Sequence, residues 1–211
     1  HGQGIAVILD VVHNHLGAHG NYVMQFSPSY FTDKYKTEWG EPLNFDGPDS
    51  GPVREFFTDN AAYWIDEYHF DGLRLDATQS IFDSSDHHIL AEIGCAVRAA
   101  AHDRGTVLVA ENEPQDVKLL REVGDAGCGL DMLWNDDFHH AIHTALTGES
   151  ESYYASFAVD PIGDLALALA RGHVEEGQDR EGRDEPRGQP SGHLPVTAFV
   201  NATQNHDQVG N

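Results

Sequence analysis

The segment FDGLRLDAT, residues 70–78, decides the fold that the sequence predicts. It alternates apolar residues with Arg74 and then reaches a carboxylate, Asp76. A short apolar run that stops at charge is typical of a buried strand whose carboxyl end meets solvent. Residues two apart on a strand project to the same face, so Arg74 and Asp76 are predicted to point into one space.

Four further segments repeat this pattern of an apolar strand followed by polar residues. They are GIAVILDVV at 4–12, whose continuous apolar run suits burial on both faces, TVLVAENE at 106–113, the weaker GLDMLWNDD at 129–137 and PVTAFVNATQNHDQ at 195–208. Helical spacing of apolar residues occurs between them, at 52–68, 88–101, 138–146 and 164–171, and residues 174–193 are predicted to be a charged loop without a core. Alternating strands and helices predict right-handed βα units and a parallel sheet.

The positions of the acidic residues separate the two architectures that this pattern allows, an open doubly wound sheet and a closed barrel. Asp10, Asp76, Glu111 and Asp207 follow four different strands, as reactive residues do at the carboxyl rim of a TIM-type barrel. A doubly wound sheet concentrates its site at one switch point, and no glycine-rich phosphate fingerprint follows the first strand. We therefore predict an α/β fold, a partial (β/α)8 barrel.

Composition and charge limit the possible partners. The chain has 211 residues with 12 Lys+Arg, 35 Asp+Glu and a formal net charge of -23, which repels phosphate backbones and anionic lipids. No apolar run approaches the ~20 residues of a membrane span. We therefore expect no nucleic acid and no membrane partner; a neutral sugar is not disfavoured, and solvated surface equally explains the acidic excess. Two distant cysteines, Cys95 and Cys128, favour buried thiols in a cytoplasmic protein.

Asp76 and Glu111 each end an apolar strand, where a buried carboxylate is costly unless a partner compensates it. Arg74 would keep Asp76 ionised, as a nucleophile requires, while a second carboxylate and partial burial would favour the protonated form of Glu111. Retaining glycosidases divide the work between two carboxyl groups about 5 Å apart in this way. A single strand-end Asp is more often a helix N-cap, but four acidic strand ends in one chain favour a site.

The histidines allow other interpretations. His13 and His15 could hold a metal, and the HNH triplet resembles a nuclease motif, but further ligands at zinc spacing and a basic surface are both missing from the sequence. We therefore predict no metal and no cofactor. His139, His140 and His206 are interpreted as hydrogen-bond partners of a sugar or a carboxylate, with an ordinary helix histidine as the alternative for His140.

The segments DVVHNH, GLRLDAT, VLVAENE and QNHDQ resemble, in this order, the four conserved regions of the α-amylase family of glycoside hydrolases. The resemblance covers nearly the whole chain and implies barrel strands three to seven. It implies Asp76 as the nucleophile, Glu111 as the proton donor and Asp207 as the transition-state stabiliser. The other positions of the family's usual active-site set are Asp10, His15, Arg74 and His206.

Residues 20–47, 134–149 and 204–211 resemble those family members that hydrolyse the α-1,4 bond next to a terminal trehalose unit of an α-glucan oligosaccharide. This resemblance implies substrate contacts at Thr78, Gln79, Asn135, Asp136, Asp137, Phe138, His139, Gln208 and Asn211. We predict that residues 135–139 form the trehalose pocket and that Asp136 or Asp137 caps the following helix. His13 stands where the family commonly has tyrosine, a departure that bears on substrate detail and not on the reaction class.

We expect one partial catalytic barrel domain over residues 1–211, with both ends of the full chain missing and a short excursion at 16–51 after the first strand. Many amylases carry a calcium-bearing domain at this point, and the excursion leaves little room for one, so no calcium is predicted. Transglycosylases such as branching enzymes share every catalytic residue, and a non-catalytic glucan-binding relative is the third possibility. The oligomeric state cannot be predicted from the sequence.

Overall fold

A computed structural model describes residues 1–17 and 19–208, which divide into two compact units. Unit 1 contains His1–Asn112 and Lys118–Asp131, and unit 2 contains Glu113–Val117 and Met132–Asn211. Asn211, one of the predicted substrate contacts, lies outside the described residues.

Three parallel strands form the sheet of unit 1. They are β1 (Ile8–Val11), β2 (Gly72–Leu75) and β3 (Val107–Ala110). β2 lies between the other two and is buried along its whole length, whereas β1 is the outer strand and leaves Ile8 44% exposed. The sheet thus covers β1 on one edge within this chain, and burial of β1 on both faces stays a prediction. A side chain at Gly72 would meet the Val107 carbonyl oxygen at 2.0 Å, so the close approach of β2 to β3 requires glycine there.

Helices α2 (Gly51–Asp66) and α3 (Ile89–Ala100) pack against each other in unit 1. The apolar stripe of α2 consists of four buried residues spaced by four positions, Val53, Phe57, Ala61 and Ile65. α3 begins after His88, whose Nδ1 accepts a hydrogen bond from the Leu90 backbone N–H. The predicted helices at 52–68 and 88–101 differ from these bounds by one or two residues.

The excursion between β1 and α2 contains the helical turn α1 (Val23–Phe26) and the 3₁₀ turn Pro28–Tyr30, and it is tied to the loop that follows β2. The Asp46 carboxylate makes this link, because its Oδ2 accepts hydrogen bonds from Lys34 Nζ at 2.7 Å and from the Ser84 backbone N–H at 2.9 Å. Lys34 Nζ also donates to Ser84 Oγ at 2.8 Å. An ammonium group of the chain itself therefore neutralises this carboxylate, whose side chain is 2% exposed.

Unit 2 contains the parallel strands β4 (Met132–Trp134) and β5 (Phe199–Val200) and the helices α4 (Asp136–Thr147) and α5 (Pro161–Arg171). Its core cluster consists of the buried residues Ala141, Phe157, Ala168 and Val174. α5 begins after Asp160, whose carboxylate accepts the Gly163 N–H at 3.0 Å, and proline occupies its first position.

The loop that follows α5 differs from its prediction. Residues 174–193 were expected to offer no core, yet Glu175 and Ser191 are 0% exposed and Arg187 is 8% exposed. Charged side chains are tolerated inside the unit because arginines and acids pair there. The prediction of a coreless loop is therefore wrong, because charge pairing can bury a segment that has few apolar residues.

Parallel pairing of strands that alternate with helices in both units confirms the predicted α/β class and suits part of a (β/α)8 barrel. Among the described residues, no helix combines the length and apolar character that a bilayer crossing needs. Neither Cys95 nor Cys128 forms a disulfide. The prediction of a buried thiol is confirmed for Cys128 and is wrong for Cys95, which is exposed.

Candidate active site

Arg74 brings three carboxylates together at the carboxyl end of the unit 1 sheet. Its Nη1 donates to Asp10 Oδ1 at 2.8 Å and to Asp76 Oδ1 at 2.7 Å, and its Nη2 lies 3.0 Å from Glu111 Oε2. The register of β1 and β2 places Asp10 beside Arg74, and the two-residue period of β2 brings Asp76 to the same side. The sequence pattern had predicted that the side chains of Arg74 and Asp76 project to the same face of the strand.

The exposure of these groups suits a reaction site. The Arg74 side chain is 5% exposed, whereas those of Asp10, Asp76 and Glu111 are 45%, 26% and 20% exposed. Burial alone would lower the pKa of Arg74, but the hydrogen bond to Asp10 and the charges of Glu111, Asp10 and Asp76 raise it above its ordinary value. A permanent cation therefore lies beneath three acids that reach solvent.

Asn14 is a member of this arrangement that the sequence did not reveal. It is 1% exposed, and its Nδ2 donates to the Asp76 backbone carbonyl at 2.8 Å and to Asp76 Oδ2 at 3.1 Å. Arg74 and Asn14 thus hold the two oxygens of the same carboxylate. The sequence contained one signal for this role, because Asn14 is a polar residue after the first strand that lies between His13 and His15.

Glu111 is held by backbone that bends sharply after Asp76. Ala77 has a left-handed conformation with φ of 39°, which residues other than glycine rarely adopt. Its N–H donates to Glu111 Oε2 at 2.8 Å. Strained residues of this kind cost about 1–3 kcal/mol and cluster at functional sites. Nothing in the residue type of Ala77 indicated this turn, so it was beyond sequence prediction.

Thr78 and Gln79 were predicted substrate contacts on the loop after β2. Thr78 is 4% exposed, and its Oγ1 donates to the Glu111 carbonyl at 2.6 Å and accepts from Asn112 Nδ2 at 3.0 Å. The Thr78 hydroxyl therefore holds the Glu111 backbone, and substrate contact at Thr78 stays a prediction. Gln79 is half-buried and stays a candidate contact.

His15 and His13 have different surroundings. His15 donates from Nδ1 to Asn14 Oδ1, and its ring stacks on Trp39 at a centroid distance of 5.7 Å. His13 is buried, bonds Asn60 Oδ1 at 3.3 Å and packs edge-on against an aromatic ring. Burial lowers the pKa of His13 to about 4, against a weaker opposing effect of its hydrogen bond to Asn60. His13 is therefore a neutral core histidine.

The segment 135–139, predicted to form the trehalose pocket, is largely internal to unit 2. Asn135 is 2% exposed and donates from Nδ2 to the Gly172 carbonyl at 2.8 Å, and His139 is 2% exposed and donates from Nδ1 to the Thr203 carbonyl at 2.8 Å. Burial lowers the pKa of His139, although that hydrogen bond acts in the opposite direction. Both side chains therefore fix neighbouring backbone of unit 2.

Asp137 departs most clearly from its predicted role. Its side chain is 0% exposed, Oδ2 accepts the backbone N–H groups of Val174 at 2.7 Å and Glu175 at 2.8 Å, and Oδ1 accepts from Gln115 Nε2 at 2.6 Å and from Arg187. Direct substrate binding by Asp137 is contradicted, because both oxygens are occupied inside the unit.

The helix-capping prediction is also wrong. α4 begins at Asp136, so Asp136 and Asp137 lie in its first turn and Asn135 is the N-cap residue, without a side-chain cap. Acids in the first turn still favour the helix through its dipole. Phe138 is partly buried and packs against the apolar core of unit 2, and its predicted substrate contact stays a prediction. Asp136, half-buried, is the polar member of the segment that keeps partial solvent access.

Arg187 is the centre of an ionic cluster that the sequence reasoning missed. Its Nη2 donates to Asp137 Oδ1, its Nε donates to Glu175 Oε2 and its Nη1 donates to the Glu113 carbonyl at 3.0 Å. Asp137 and Glu175 raise the pKa of Arg187 despite the opposing effect of burial, so it stays charged. The sequence signal for this cluster was a set of three arginines among acids. They lie at positions 180, 183 and 187, three and four positions apart.

The predicted residues of the last segment are more open. His206 and Asp207 have side chains that are 59% and 49% exposed, and His206 Nε2 lies 3.4 Å from Asp207 Oδ1. Gln208 is half-buried, and its Oε1 accepts the Asn205 N–H at 3.1 Å. These residues belong to unit 2 and keep their predicted roles as proposals.

No group of three or more His, Cys, Asp or Glu side chains within 1–17 and 19–208 has the arrangement of a metal site. His13 and His15, the candidate metal pair of the sequence, are engaged with Asn60 and Asn14. The arrangement around Arg74 therefore has carboxylates, a cation and an amide as its chemical groups.

Curated proteins are similar to this chain along its whole length, although no family model matches it. A curated malto-oligosyltrehalose trehalohydrolase of Saccharolobus solfataricus is 43% identical over 211 residues, which are 100% of this chain and 36% of that protein. Other curated proteins of the same name are 36% to 41% identical over 100% of this chain. A 1,4-alpha-glucan branching enzyme GlgB of Geobacillus stearothermophilus is 30% identical over 149 residues, 64% of this chain and 23% of that protein.

A solved structure resembles this chain in fold as well as in sequence. The crystal structure of a Salmonella typhimurium protein described as an alpha amylase matches with a TM-score of 0.85 and 39% identity, over 99% of this chain and 35% of that one. The chain belongs to the α-amylase family of glycoside hydrolases. Within that family it groups with the malto-oligosyltrehalose trehalohydrolases, and it spans about a third of the length of these curated relatives, 36% for the archaeal one.

Proposed function

We propose that the protein is a retaining glycoside hydrolase that cleaves the α-1,4-glucosidic bond next to the terminal trehalose of malto-oligosyltrehalose and releases trehalose. The observation that carries the reaction class is the simultaneous contact of Arg74 with Asp76 and Glu111. Retaining enzymes need two carboxyl groups about 5 Å apart, and two acids that share one guanidinium suit that spacing. Similarity to trehalohydrolases over the whole chain supports the substrate.

In the first step Asp76 is the nucleophile. One of its carboxylate oxygens forms a bond to the anomeric carbon, the bond from that carbon to the trehalose oxygen breaks, and Glu111 transfers its proton to the departing oxygen. Hydrogen bonds from Arg74 and Asn14 fix the Asp76 carboxylate before the substrate arrives. Because Glu111 Oε2 accepts from Ala77 and contacts Arg74, the transferable proton belongs on Oε1 in this proposal.

In the second step water releases the sugar from Asp76. Glu111, now a carboxylate, takes a proton from water, the water oxygen bonds to the anomeric carbon, and the bond from that carbon to Asp76 breaks. Glu111 regains its proton and Asp76 its charge, so the pair returns to its starting state. Arg74 stabilises the carboxylate form of each acid when that form is required.

The remaining predicted residues have supporting roles in this proposal. Asp10 and His15 bind the sugar attached to Asp76, because both reach solvent beside Arg74 or Asn14. Asp207 and His206 stabilise positive charge at the anomeric centre as it develops in the transition state. The other proposed substrate contacts are Thr78, Gln79, Asn135, Asp136, Phe138, His139, Gln208 and Asn211. A cytoplasmic location, expected from the two distant cysteines, is part of the same proposal.

The second candidate is a transglycosylase of the branching type, which differs in the acceptor that releases the glycosyl group from Asp76. The branching-enzyme relative is less similar and matches a smaller part of the chain, which favours the hydrolase. The test is to incubate the full-length protein with malto-oligosyltrehalose and with malto-oligosaccharide of equal length and to identify the products. Release of trehalose supports the proposal; products longer than the substrate indicate transfer, and unchanged substrate indicates a glucan-binding relative.

A further inference from the structure

One extra residue interrupts the pairing of β2 with β3 at the point where the candidate site begins. The Glu111 N–H continues the ladder and donates to the Leu75 carbonyl at 3.0 Å. A regular parallel ladder would then pair the Glu111 carbonyl with the N–H of residue 77. That carbonyl instead accepts the Thr78 N–H at 2.9 Å. Ala77 is therefore the extra residue of a β-bulge that directly follows Asp76.

The bulge gives the Ala77 N–H a different acceptor. With φ of 39°, Ala77 turns its N–H out of the ladder and donates to Glu111 Oε2 at 2.8 Å. Arg74 Nη2 lies 3.0 Å from the same oxygen. Bulges beside active sites commonly re-aim groups of the chain in this way. The bulge therefore fixes Oε2 of Glu111, and Oε1 is the oxygen that carries the proton in the proposed reaction.

Two buried side chains hold the bulge in place. Left-handed backbone is unfavourable for alanine, so the surrounding contacts must maintain it. Thr78 Oγ1 donates to the Glu111 carbonyl at 2.6 Å, and Asn112 Nδ2 donates to Thr78 Oγ1 at 3.0 Å. Thr78 and Asn112 are 4% and 7% exposed, so water competes little for these hydrogen bonds.

Glu111 is thus fixed at both ends of its side chain. Thr78 holds its backbone carbonyl through a hydroxyl and an N–H, and Ala77 and Arg74 hold its carboxyl group. All of these residues belong to unit 1. Such precision matters for a proton donor, because a displacement of about 1 Å can lower the rate about 10²-fold.

We infer that Thr78 and Asn112 are positioning residues for the proton donor, which they and the bulge at Ala77 hold where Glu111 can protonate the leaving oxygen. The inference rests on the proposed function and adds to it two residues that act through Glu111. Neither residue needs to touch the substrate for this role. The observation that carries it is the path of hydrogen bonds from Asn112 through the Thr78 hydroxyl to the Glu111 carbonyl.

The leaving group distinguishes this role from a structural one. A sugar oxygen needs a proton as its bond breaks, whereas fluoride departs without one. With α-maltotriosyl fluoride as substrate, Asp76 bonds to the anomeric carbon, the carbon–fluorine bond breaks and fluoride leaves as the anion. Because kcat/KM reports the steps up to that departure, a misplaced Glu111 should lower kcat/KM for malto-oligosyltrehalose far more than for the fluoride.

The second step of the reaction supplies an independent readout. Glu111 is also the base that activates water, so its misplacement should lower kcat for the fluoride through slow release of the sugar from Asp76. Azide is an anionic nucleophile that needs no base. It bonds to the anomeric carbon, the bond from that carbon to Asp76 breaks, and a glycosyl azide is formed. Azide should therefore restore turnover of the fluoride in a variant whose defect lies in Glu111.

The test compares Thr78→Val and Asn112→Ala in the full-length protein with two control variants. Thr78→Val keeps the branched shape of the side chain and removes the hydroxyl, whereas the control Thr78→Ser keeps a hydroxyl. Thr58→Val is the matched control, because Thr58 Oγ1 also donates to a backbone carbonyl of unit 1, that of Arg54 at 3.0 Å. The thermal midpoint of each variant reports whether it is folded.

We expect Thr78→Val to lower kcat/KM for malto-oligosyltrehalose about 10²-fold and that for α-maltotriosyl fluoride less than about threefold. Asn112→Ala should show the same split with a smaller loss, about tenfold, because the Thr78 hydroxyl remains. Azide should raise kcat for the fluoride in both variants and have little effect on the wild type. Thr78→Ser should keep most of the activity, and Thr58→Val should match the wild type.

Equal losses on the two substrates would overturn the inference, because they indicate a disturbed nucleophile or a general loss of structure. Wild-type values in both variants would overturn it as well. A split without restoration by azide indicates a lost contact with the leaving sugar and also contradicts the inference. If Thr78→Val does not fold, Asn112→Ala decides, since the split and the azide effect must both appear there.

Failure of the proposed function has a different signature. A wild-type protein that cleaves another α-glucan but releases no trehalose contradicts the proposed substrate, and comparison of that glucan with the fluoride still tests the positioning of Glu111. A wild-type protein that hydrolyses neither glucan nor fluoride contradicts both proposals.

Discussion

Two ionic clusters, each centred on a buried arginine, differ in the exposure of their acids. In unit 1 the guanidinium of Arg74 contacts the side chains of Asp10, Asp76 and Glu111, which are 45%, 26% and 20% exposed. Each of these acids contacts the guanidinium of Arg74 and is also partly exposed to solvent. A substrate can therefore reach them without breaking the unit apart.

In unit 2 the guanidinium of Arg187 contacts the side chains of Asp137 and Glu175, which are 0% and 1% exposed. Their oxygens bond backbone N–H groups, Ser156 and other arginines of the same unit. Breaking such a pair leaves an unpaired charge inside the protein, which is strongly destabilising. Both clusters combine an arginine with acids, so the exposure of the carboxylates, and not their presence, separates the proposed reaction site from a structural centre.

The largest expected effect tests the exposed cluster. Asp76→Asn should lower kcat by about 10⁴-fold or more, the scale seen when a nucleophile or its partner is removed, because an amide cannot attack the anomeric carbon. The thermal midpoint should change little, since the amide has nearly the same shape as the carboxylate that it replaces beside Arg74. Asp103→Asn, an exposed acid of the same unit, should match the wild type. Substantial hydrolysis by Asp76→Asn would reassign the nucleophile and remove the distinction between the clusters.

The second expected effect tests the buried cluster. Asp137→Ala should lower the free energy of unfolding by about 3–5 kcal/mol, because it leaves Arg187 buried without one of its acids and two backbone N–H groups without an acceptor. Urea unfolding of the full-length protein measures this change.

Asp179→Ala is the matched control for that experiment. Asp179 is exposed on the loop after α5, so its removal should change the free energy of unfolding by less than about 0.5 kcal/mol. Equal stabilities of the Asp137 and Asp179 variants would show that the buried cluster is not a structural centre.

The exposed cluster could be predicted from the sequence because its geometry follows from regular structure. A strand has a period of two, and parallel strands end at one edge, so residues 74 and 76 and the end of β3 had to meet. Ala77 and Asn14 escaped prediction. The left-handed turn at Ala77 depends on the surrounding structure, and the amide of Asn14 was less conspicuous than its histidine neighbours.

The buried cluster could not be predicted in the same way. Its members come from Gln115, Asp137 and a loop of irregular structure, and no fixed period relates such segments. Polar composition predicted solvent exposure for residues 174–193, but pairing with Asp137 and other acids reversed that outcome. Family resemblance also gave Asp137 a substrate role, since resemblance identifies a segment without giving the exposure of each side chain.

The third expected effect concerns the pH dependence of stability, through two buried histidines of unit 2. Burial, with a further contribution from the charge of Arg187, lowers the pKa of His140 to about 3 and of His173 to about 4. The unfolded chain therefore binds more protons than the native one between about pH 4 and pH 6.5, so stability falls as pH decreases through that window. Each histidine contributes a slope of at most about 1.4 kcal/mol per pH unit.

The measurement is the free energy of unfolding between about pH 5 and pH 6.5, where most carboxylates stay ionised. His140→Gln should have a shallower slope than the wild type, because one buried group no longer takes up a proton on unfolding. His102→Gln replaces a histidine whose side chain is 73% exposed and should keep the wild-type slope. Identical slopes in all three proteins would contradict the buried, neutral state of His140.

The smallest expected effect concerns Asp136, which lies next to the buried cluster but keeps partial solvent access. If the segment 135–139 touches the substrate through this carboxylate, Asp136→Ala removes one hydrogen bond worth about 1 kcal/mol, or about a fivefold fall in the ratio of kcat/KM for malto-oligosyltrehalose to malto-oligosaccharide. Asp179→Ala replaces an exposed acid of unit 2 outside this segment and should keep the wild-type ratio. Measuring the two variants side by side with the wild type tests the segment directly. An Asp136 variant that keeps the wild-type ratio would show that this carboxylate does not contribute to the preference for substrates that end in trehalose.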